Sequence, residues 1–190
     1  MKRILIAAVL GGVIIFVWGA LSHMVLQVGS MGMSQLPDEG PVIEALRTHV
    51  PEAGMYMYPG WDDTTAKSAA EEAAWMKQYA NGPAGLLIHR PKGGEFMPPS
   101  VLLSEVVSNV LAALIAALIA SSLAGGFGKR VLMLTLLGVF AWVTVNVSYW
   151  AWYHFPMVFV LGEALDIVVS TFLAALVIAK LVPAPDRRVA

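Results

Sequence analysis

The stretch SVLLSEVVSNVLAALIAALIASSLA, residues 100–124, decides the fold, because Glu105 is its only charged residue. A helix of about 20 mostly apolar residues is long enough to cross the hydrocarbon core of a bilayer. Residues 4–28, 131–152 and 157–182 form three more mostly apolar stretches of similar length. We therefore expect an all-α membrane protein built on a four-transmembrane-helix bundle.

The composition of the chain also indicates a membrane protein. Of its 190 residues, 58% are hydrophobic and 13% are charged, which is about half the charged share of a soluble globular chain. A net charge of −1, with no continuous basic patch, excludes nucleic-acid binding as a main activity. The absence of cysteine excludes disulfides, thiolate metal sites and thiol redox chemistry.

The first apolar stretch shares some features with a signal peptide. The N-terminus is basic, and Ala20 with Ser22 weakly imitates a cleavage site. The apolar run nevertheless continues to Val28, which is too long for the hydrophobic region of an ordinary signal peptide. We therefore interpret residues 1–28 as a retained transmembrane helix, with the other three helices within residues 99–182.

The basic residues near the ends of the spans predict the orientation. They are Lys2 and Arg3 before the first span, Lys129 and Arg130 in the turn between the second and third, and Lys180, Arg187 and Arg188 at the end of the chain. Four spans put all of them on one side, which the positive-inside rule identifies as the cytoplasm. We expect a protein of the bacterial inner membrane with both termini and the tail 183–190 cytoplasmic, and residues 29–98 periplasmic.

The sequence of residues 29–98 predicts a small α+β insertion between the first two spans. The predicted elements are a helix over 40–49, a strand at 55–58, a helix that begins at Asp62 or Asp63 and ends near Tyr79, and a strand at 86–89 that pairs with the first. Few large apolar side chains are present in this segment. A weak core of this kind indicates that the insertion is stabilised by packing against the membrane helices or a partner chain.

The spans carry polar residues whose burial in hydrocarbon is costly, roughly 2.5–3.5 kcal/mol for Asp, Lys or Arg on insertion scales. These residues are His23, Glu105, Asn109, Asn146, Tyr149, Glu163, Asp166 and Ser170, and His154 follows in the turn after the third span. Counted along the alternating helices, they lie toward the periplasmic ends. We expect one polar cluster in the outer third of the bundle.

Helical spacing places these polar residues in line with small ones. In the second span, steps of three and four residues connect Glu105 and Asn109 with Ala112, Ala116 and Ala120. Small residues allow membrane helices to approach closely. This stripe is therefore the predicted contact face of the second span.

The polar cluster admits several chemical interpretations. His23, Glu105, Glu163 and Asp166 are metal-ligand types, and helix bundles build metal centres from facing helices. The Glu-x-x-His spacing of di-iron bundles is absent, however. A quinone, a haem held by His23 or His154, and a purely structural hydrogen-bond network are the alternatives.

Three functions follow from these patterns. The first is a small non-catalytic accessory subunit or assembly factor of a larger membrane complex, with other membrane-protein chains as partners. The second is a stand-alone membrane protein that binds a metal, quinone or haem in the polar cluster. The third is an enzyme that acts on lipids at the outer leaflet, with Glu105, Glu163 or His154 as acid or base. No nucleophile with a positioned base is evident, so the sequence favours a protein that is not an enzyme.

Overall fold

The computed structural model describes residues 1–62 and 64–185. Its elements in chain order are α1 (Lys2–Leu21), α2 (Glu39–His49), β1 (Gly54–Tyr58), α3 (Ala69–Asn81), β2 (Gly85–His89), α4 (Pro99–Ser122), α5 (Phe127–Tyr153) and α6 (Met157–Leu181). A π-helical turn, Ser22–Leu26, extends α1, and a 3₁₀ turn, Val28–Ser30, follows it. The extended α1, α4, α5 and α6 are long and apolar enough to cross a membrane.

The chain divides into two compact units. The helical unit comprises Met1–Met33 and the chain from Phe96 onward, and the inserted unit comprises Ser34–Glu95. In the helical unit, α1 packs against both α4 and α6, and α5 packs against α6. The contacts between α4 and α5 are few. The helices therefore follow the spatial order α4, α1, α6, α5, and the side between α4 and α5 is open.

Small side chains form most of the buried interior of the helical unit. The buried cluster includes Ala7, Ala113, Ala117, Ala120, Ala174 and Ala175 around the larger Leu134 and Ile178. Lipid tails are as apolar as the helices themselves, so close van der Waals packing between small residues holds such helices together.

The packed face of α4 agrees with the predicted stripe only in part, at Ala120, which is buried, and at Ala116, which packs against the buried cluster. Ala113 and Ala117 are buried, whereas Ala112 is exposed and Ala116 is partly buried. Alanines occupy adjacent positions on this helix, so the spacing pattern fits either face. The face with Ala113 packs on α1, where Gly11 leaves room for it.

Arg130 joins three helices at one end of the bundle and lies inside α5, which begins at Phe127 rather than at residue 131. The residue is 4% exposed, and its guanidinium donates hydrogen bonds to the carbonyl oxygens of Ala120 (2.8 Å), Ala179 (3.1 Å) and Val182 (2.8 Å). Carbonyls at helix C-termini have no partner within their own helix and carry partial negative charge. The predicted turn residue is therefore a buried cap for α4 and α6.

The inserted unit contains the predicted strand pair. β1 and β2 are antiparallel, with Met55 opposite Ile88 and Met57 opposite Leu86. The start of α3 differs from the prediction, because Ser68 caps this helix instead of Asp62. The carboxylate of Asp62 accepts hydrogen bonds from the main chain (2.9 Å) and the hydroxyl (2.5 Å) of Thr64, which closes a local turn. Asp63, the other predicted cap, lies outside the described residues.

Candidate functional site

A cavity of about 670 Å³, here called the polar crevice, opens between α1, α4 and α6 at the end of the bundle opposite Arg130. Its polar lining residues are Trp18, His23, Glu105, Asn109, Asp166 and Ser170. Its apolar lining residues include Ile15, Phe16, Met24, Met97, Leu102 and Ile167. Five of the residues predicted for a polar cluster therefore share one cavity.

The π-helical turn at the end of α1 positions His23. This turn ends at Gln27, whose left-handed φ of 56° reverses the chain. The imidazole lies directly on the main chain of Gly29, where any Cβ would overlap the ring. Single π-helical turns within α-helices occur frequently at functional sites.

The closest polar pair in the crevice joins α1 to α6. The Nε2 atom of His23 lies 3.5 Å from Oδ2 of Asp166, and the two side chains are 52% and 17% exposed. The second carboxylate oxygen of Asp166 is buried and has no hydrogen-bond partner among the described residues. This oxygen is therefore an unused hydrogen-bond acceptor that is packed out of reach of solvent.

Trp18, another residue in the lining of the crevice, carries a buried hydrogen-bond donor. Its indole Nε1 is buried and makes no hydrogen bond to the described part of the chain. An indole N–H can only donate, and buried tryptophans usually have a partner for it. The sequence reasoning missed this residue, although a tryptophan within a span is a recognisable signal.

Glu105 and Asn109 form a separate pair on the α4 wall, where the Asn109 amide donates to Oε1 of Glu105 over 3.2 Å. Glu163 lies one turn from Asp166 on α6, partly buried, and is not among the residues that line the crevice. Within residues 1–62 and 64–185, no three His, Asp or Glu side chains are grouped closely enough to hold a metal ion. Of the four residues predicted as metal ligands, His23, Glu105 and Asp166 line the crevice and Glu163 does not.

The remaining predicted polar residues lie on α5 or in the turn that follows it, away from the crevice lining. Asn146 is buried at 5% exposure. The Tyr149 ring packs against Tyr153 and Phe155, with ring centroids 6.0 and 5.2 Å away. His154 ends α5 with a left-handed φ of 57°. None of these side chains is among the residues that line the crevice with Glu105.

A second cavity of about 350 Å³, here called the apolar cleft, lies in the open side between α4 and α5, above α6. Its walls include Ala112 and Ala116 on α4, Gly138 and Ala141 on α5, and Thr171 and Ala174 on α6. Ile15, Ile167 and Ser170 line both this cleft and the polar crevice. The two cavities are therefore neighbours, and these three residues border both of them.

Comparison of the chain with protein-family models, with curated proteins and with solved structures finds no match.

Proposed function

We propose that this chain is an integral membrane protein that binds an amphiphilic molecule, with the polar head in the polar crevice and the apolar chain in the apolar cleft. The observation that carries this proposal is that the two cavities lie side by side, with Ile15, Ile167 and Ser170 in the lining of both. A ligand that is polar at one end and apolar along its length fits such a site.

The dimensions and the open side of the bundle support binding from the membrane. Small-molecule sites in proteins usually enclose about 300–1,000 Å³ and are mostly apolar with a few placed polar groups. Each of the two cavities, about 670 and 350 Å³, falls in this range. Because α4 and α5 make few contacts, an apolar chain can enter the cleft sideways from the bilayer.

The charge distribution supports an orientation with the crevice toward the periplasm. Lys2, Lys129 and Lys180 belong to helix ends at the Arg130 end of the bundle. The positive-inside rule assigns that end to the cytoplasm. We accordingly propose a bacterial inner-membrane location with the inserted unit in the periplasm.

The test is to extract the protein with its native lipids into polymer nanodiscs and to identify copurifying amphiphiles by mass spectrometry. We expect the wild-type protein to retain one amphiphile class in a fixed ratio to the chain. Ala116→Trp fills the apolar cleft and is expected to abolish this retention. Ala151→Trp, on an exposed turn of α5 outside the cleft, is the matched control and retains it. Equal retention by both variants, or none by the wild type, would overturn the proposal.

A second candidate is a non-catalytic accessory subunit or assembly factor. Met55, Met57 and Ile88 lie together on one face of the strand pair and are 65%, 46% and 70% exposed. Contiguous exposed apolar surface often marks an interaction site. Mass spectrometry of the intact particle distinguishes the candidates, because stoichiometric foreign chains indicate a subunit and a lone chain or homodimer argues against one.

No observation favours an outer-leaflet enzyme to the same degree. Glu105 lines the polar crevice, whereas Glu163 and His154, the other acid–base candidates, are not among its lining residues. Acid–base catalysis requires the catalytic groups within reach of one reacting centre.

A further inference from the structure

We infer that α4 binds a transmembrane helix of a partner protein, and that this partner helix supplies a basic side chain to Glu105. The contact surface is here called the polar face and consists of Ser100, Ser104, Glu105 and Ser108, which line an open groove of about 390 Å³ together with Val101. The inference rests on the membrane location proposed above and goes beyond the binding of an amphiphile.

The polar face is exposed on a helix that is long and apolar enough to cross a membrane. Ser108 is nine residues beyond Pro99, the first residue of α4, which corresponds to about 14 Å along the helix at 1.5 Å per residue. Ionisable residues within spans nearly always face other helices or a water-filled cavity. Glu105 also lines the polar crevice, but the three serines do not. The polar face therefore continues on α4 outside the crevice.

Glu105 is only partly satisfied by its own chain. The Asn109 amide donates to its Oε1 over 3.2 Å, and its Oε2 accepts no hydrogen bond from residues 1–62 and 64–185. No Lys, Arg or His in the same described ranges forms an ion pair with it. The sequence of α4 contains no basic residue at all. The carboxyl group can therefore accept a donor from outside the chain.

The serine hydroxyls of the polar face use their hydrogens within α4. The Ser104 hydroxyl donates to the carbonyl oxygen of Ser100 over 2.8 Å. The Ser108 hydroxyl donates to the carbonyl oxygen of Glu105 over 2.9 Å. Their oxygen lone pairs remain available, and an ionised carboxylate can only accept. The polar face therefore presents mainly acceptors and one negative charge, and a complementary surface must donate.

A basic side chain on a partner helix complements this surface. The ammonium group of lysine carries three donors, the guanidinium of arginine carries five, and both are positively charged. A second copy of the chain, related by a twofold axis, would instead bring the same face against itself. Acceptors would then meet acceptors, and two copies of Glu105 would repel each other in a medium of low dielectric constant. Polar contacts of the complementary kind hold membrane helices together.

The experiment uses the full-length protein in phosphatidylcholine vesicles with a synthetic transmembrane helix of leucine and alanine. This peptide carries one lysine at the depth of Glu105 and one cysteine a turn deeper. The chain contains no cysteine, so Ser108→Cys can form a disulfide with the peptide at that position only. We expect oxidative crosslinking about fivefold faster than with a peptide that has leucine in place of lysine, the ratio for one polar contact between membrane helices.

Two further variants separate the charge from general stickiness of the helices. Glu105→Gln in the Ser108→Cys chain still accepts from Asn109 and should slow the lysine peptide to the rate of the leucine peptide. Thr144→Cys is the matched control, because Thr144 is exposed and lies nine residues before Tyr153, the end of α5. The sequence of α5 contains no Asp or Glu, so the two peptides should crosslink to Thr144→Cys at equal rates.

Equal rates for the two peptides at Ser108→Cys, or an unchanged rate after Glu105→Gln, would overturn the inference. Disulfide-linked dimers of Ser108→Cys without peptide would assign the polar face to a second copy and would also overturn it. So would loss of crosslinking when phosphatidylethanolamine replaces part of the phosphatidylcholine, because a lipid ammonium group would then occupy the face. No amphiphile is added, so these outcomes leave the amphiphile proposal standing, whereas a chain that does not insert into vesicles overturns both.

Discussion

Gly12 on α1 and Val110 on α4 bring the main chains of these two helices into direct contact. A Cβ on Gly12 would lie 2.6 Å from the Cα and 2.7 Å from the main-chain nitrogen of Val110. Neither of those atoms can move without moving α4 itself. This contact holds one wall of the polar crevice in place.

We predict that Gly12→Ala lowers the free energy of unfolding by about 1–3 kcal/mol, the usual cost of inserting a methyl group into a close-packed contact. Thermal unfolding in detergent, followed by circular dichroism, measures the effect. Gly19→Ala is the control, because a Cβ at that position meets nothing within 4 Å and alanine favours helix. An equal change in both variants would show that the contact with Val110 does not determine the result.

Arg130→Met is predicted to lower the free energy of unfolding by at least about 2 kcal/mol. The substitution removes the donor of three hydrogen bonds: the carbonyl oxygens of Ala179 and Val182 lose this partner, and that of Ala120 keeps only the Leu123 N–H at 3.3 Å. The same thermal unfolding assay applies. The control is Lys129→Met, which removes the same charge from an exposed neighbouring residue and should change stability by less than about 0.5 kcal/mol. If the two variants behave alike, net charge at this end of the bundle explains the effect instead of the capping contacts.

The four apolar helices and the strand pair follow from the sequence because local features determine them. A run of about 20 apolar residues can satisfy its backbone in a membrane only as a helix, whatever its neighbours. The Pro and Gly residues around 55–58 and 86–89 likewise end those strands locally. Local features do not determine the ends of the helices in the same way, because tertiary contacts such as those of Arg130 extend α5 into the predicted turn.

No local sequence pattern determines which helices pack against each other. Spacing along α4 does not distinguish the face with Ala112 from the face with Ala113, since both are small and apolar. The order of the helices in space decides which polar residues meet. It brings His23 to Asp166, whereas Asn146 and Tyr149 lie on α5 and are not among the residues that line the polar crevice.

Gly29→Ala is predicted to displace the His23 ring from Asp166. The added Cβ overlaps the imidazole, so the ring must rotate away from its position 3.5 Å from the carboxylate. Nitrogen-15 NMR of the histidine side chains in detergent detects the change in the environment of His23. The spectrum of Gly126→Ala should remain that of the wild type, because a Cβ at Gly126 meets nothing within 4 Å. An unchanged His23 signal in Gly29→Ala would contradict the predicted displacement.

Ser68→Ala is predicted to weaken α3 by about 1 kcal/mol, the typical value of an N-terminal capping residue. Ser68 and Glu71 form a complete capping box, in which the serine Oγ accepts from the Glu71 main chain over 3.3 Å. Hydrogen exchange of the α3 amides in the full-length protein reports the local opening free energy. Asp38→Ala is the control, since Asp38 precedes α2 without a side-chain capping bond and its loss should leave exchange in α2 nearly unchanged.

The capping box also predicts a pH dependence for α3. The main-chain N–H of Ser68 and then its hydroxyl donate to the Glu71 carboxylate, each over 2.8 Å, and hold the pKa of Glu71 below its ordinary value of 4.5. A carboxyl whose pKa is lowered by folding contributes stability that is fully present above its unfolded pKa and is lost as the pH falls through the folded pKa. The difference in α3 exchange protection between wild type and Glu71→Gln should therefore be constant near neutral pH and shrink below about pH 4.5.

The matched variant for this pH dependence is Glu72→Gln, which removes the same charge from the adjacent exposed residue in the first turn of α3. Both variants lose the attraction between a negative charge and the positive end of the helix dipole. Only Glu71→Gln also removes the titratable charge from the hydrogen bonds with Ser68, which a glutamine accepts as a neutral group. Only its difference from wild type should therefore decline steeply in acid. If the difference in α3 exchange protection from wild type declines equally in both variants, the helix dipole and not the capping box causes the pH dependence.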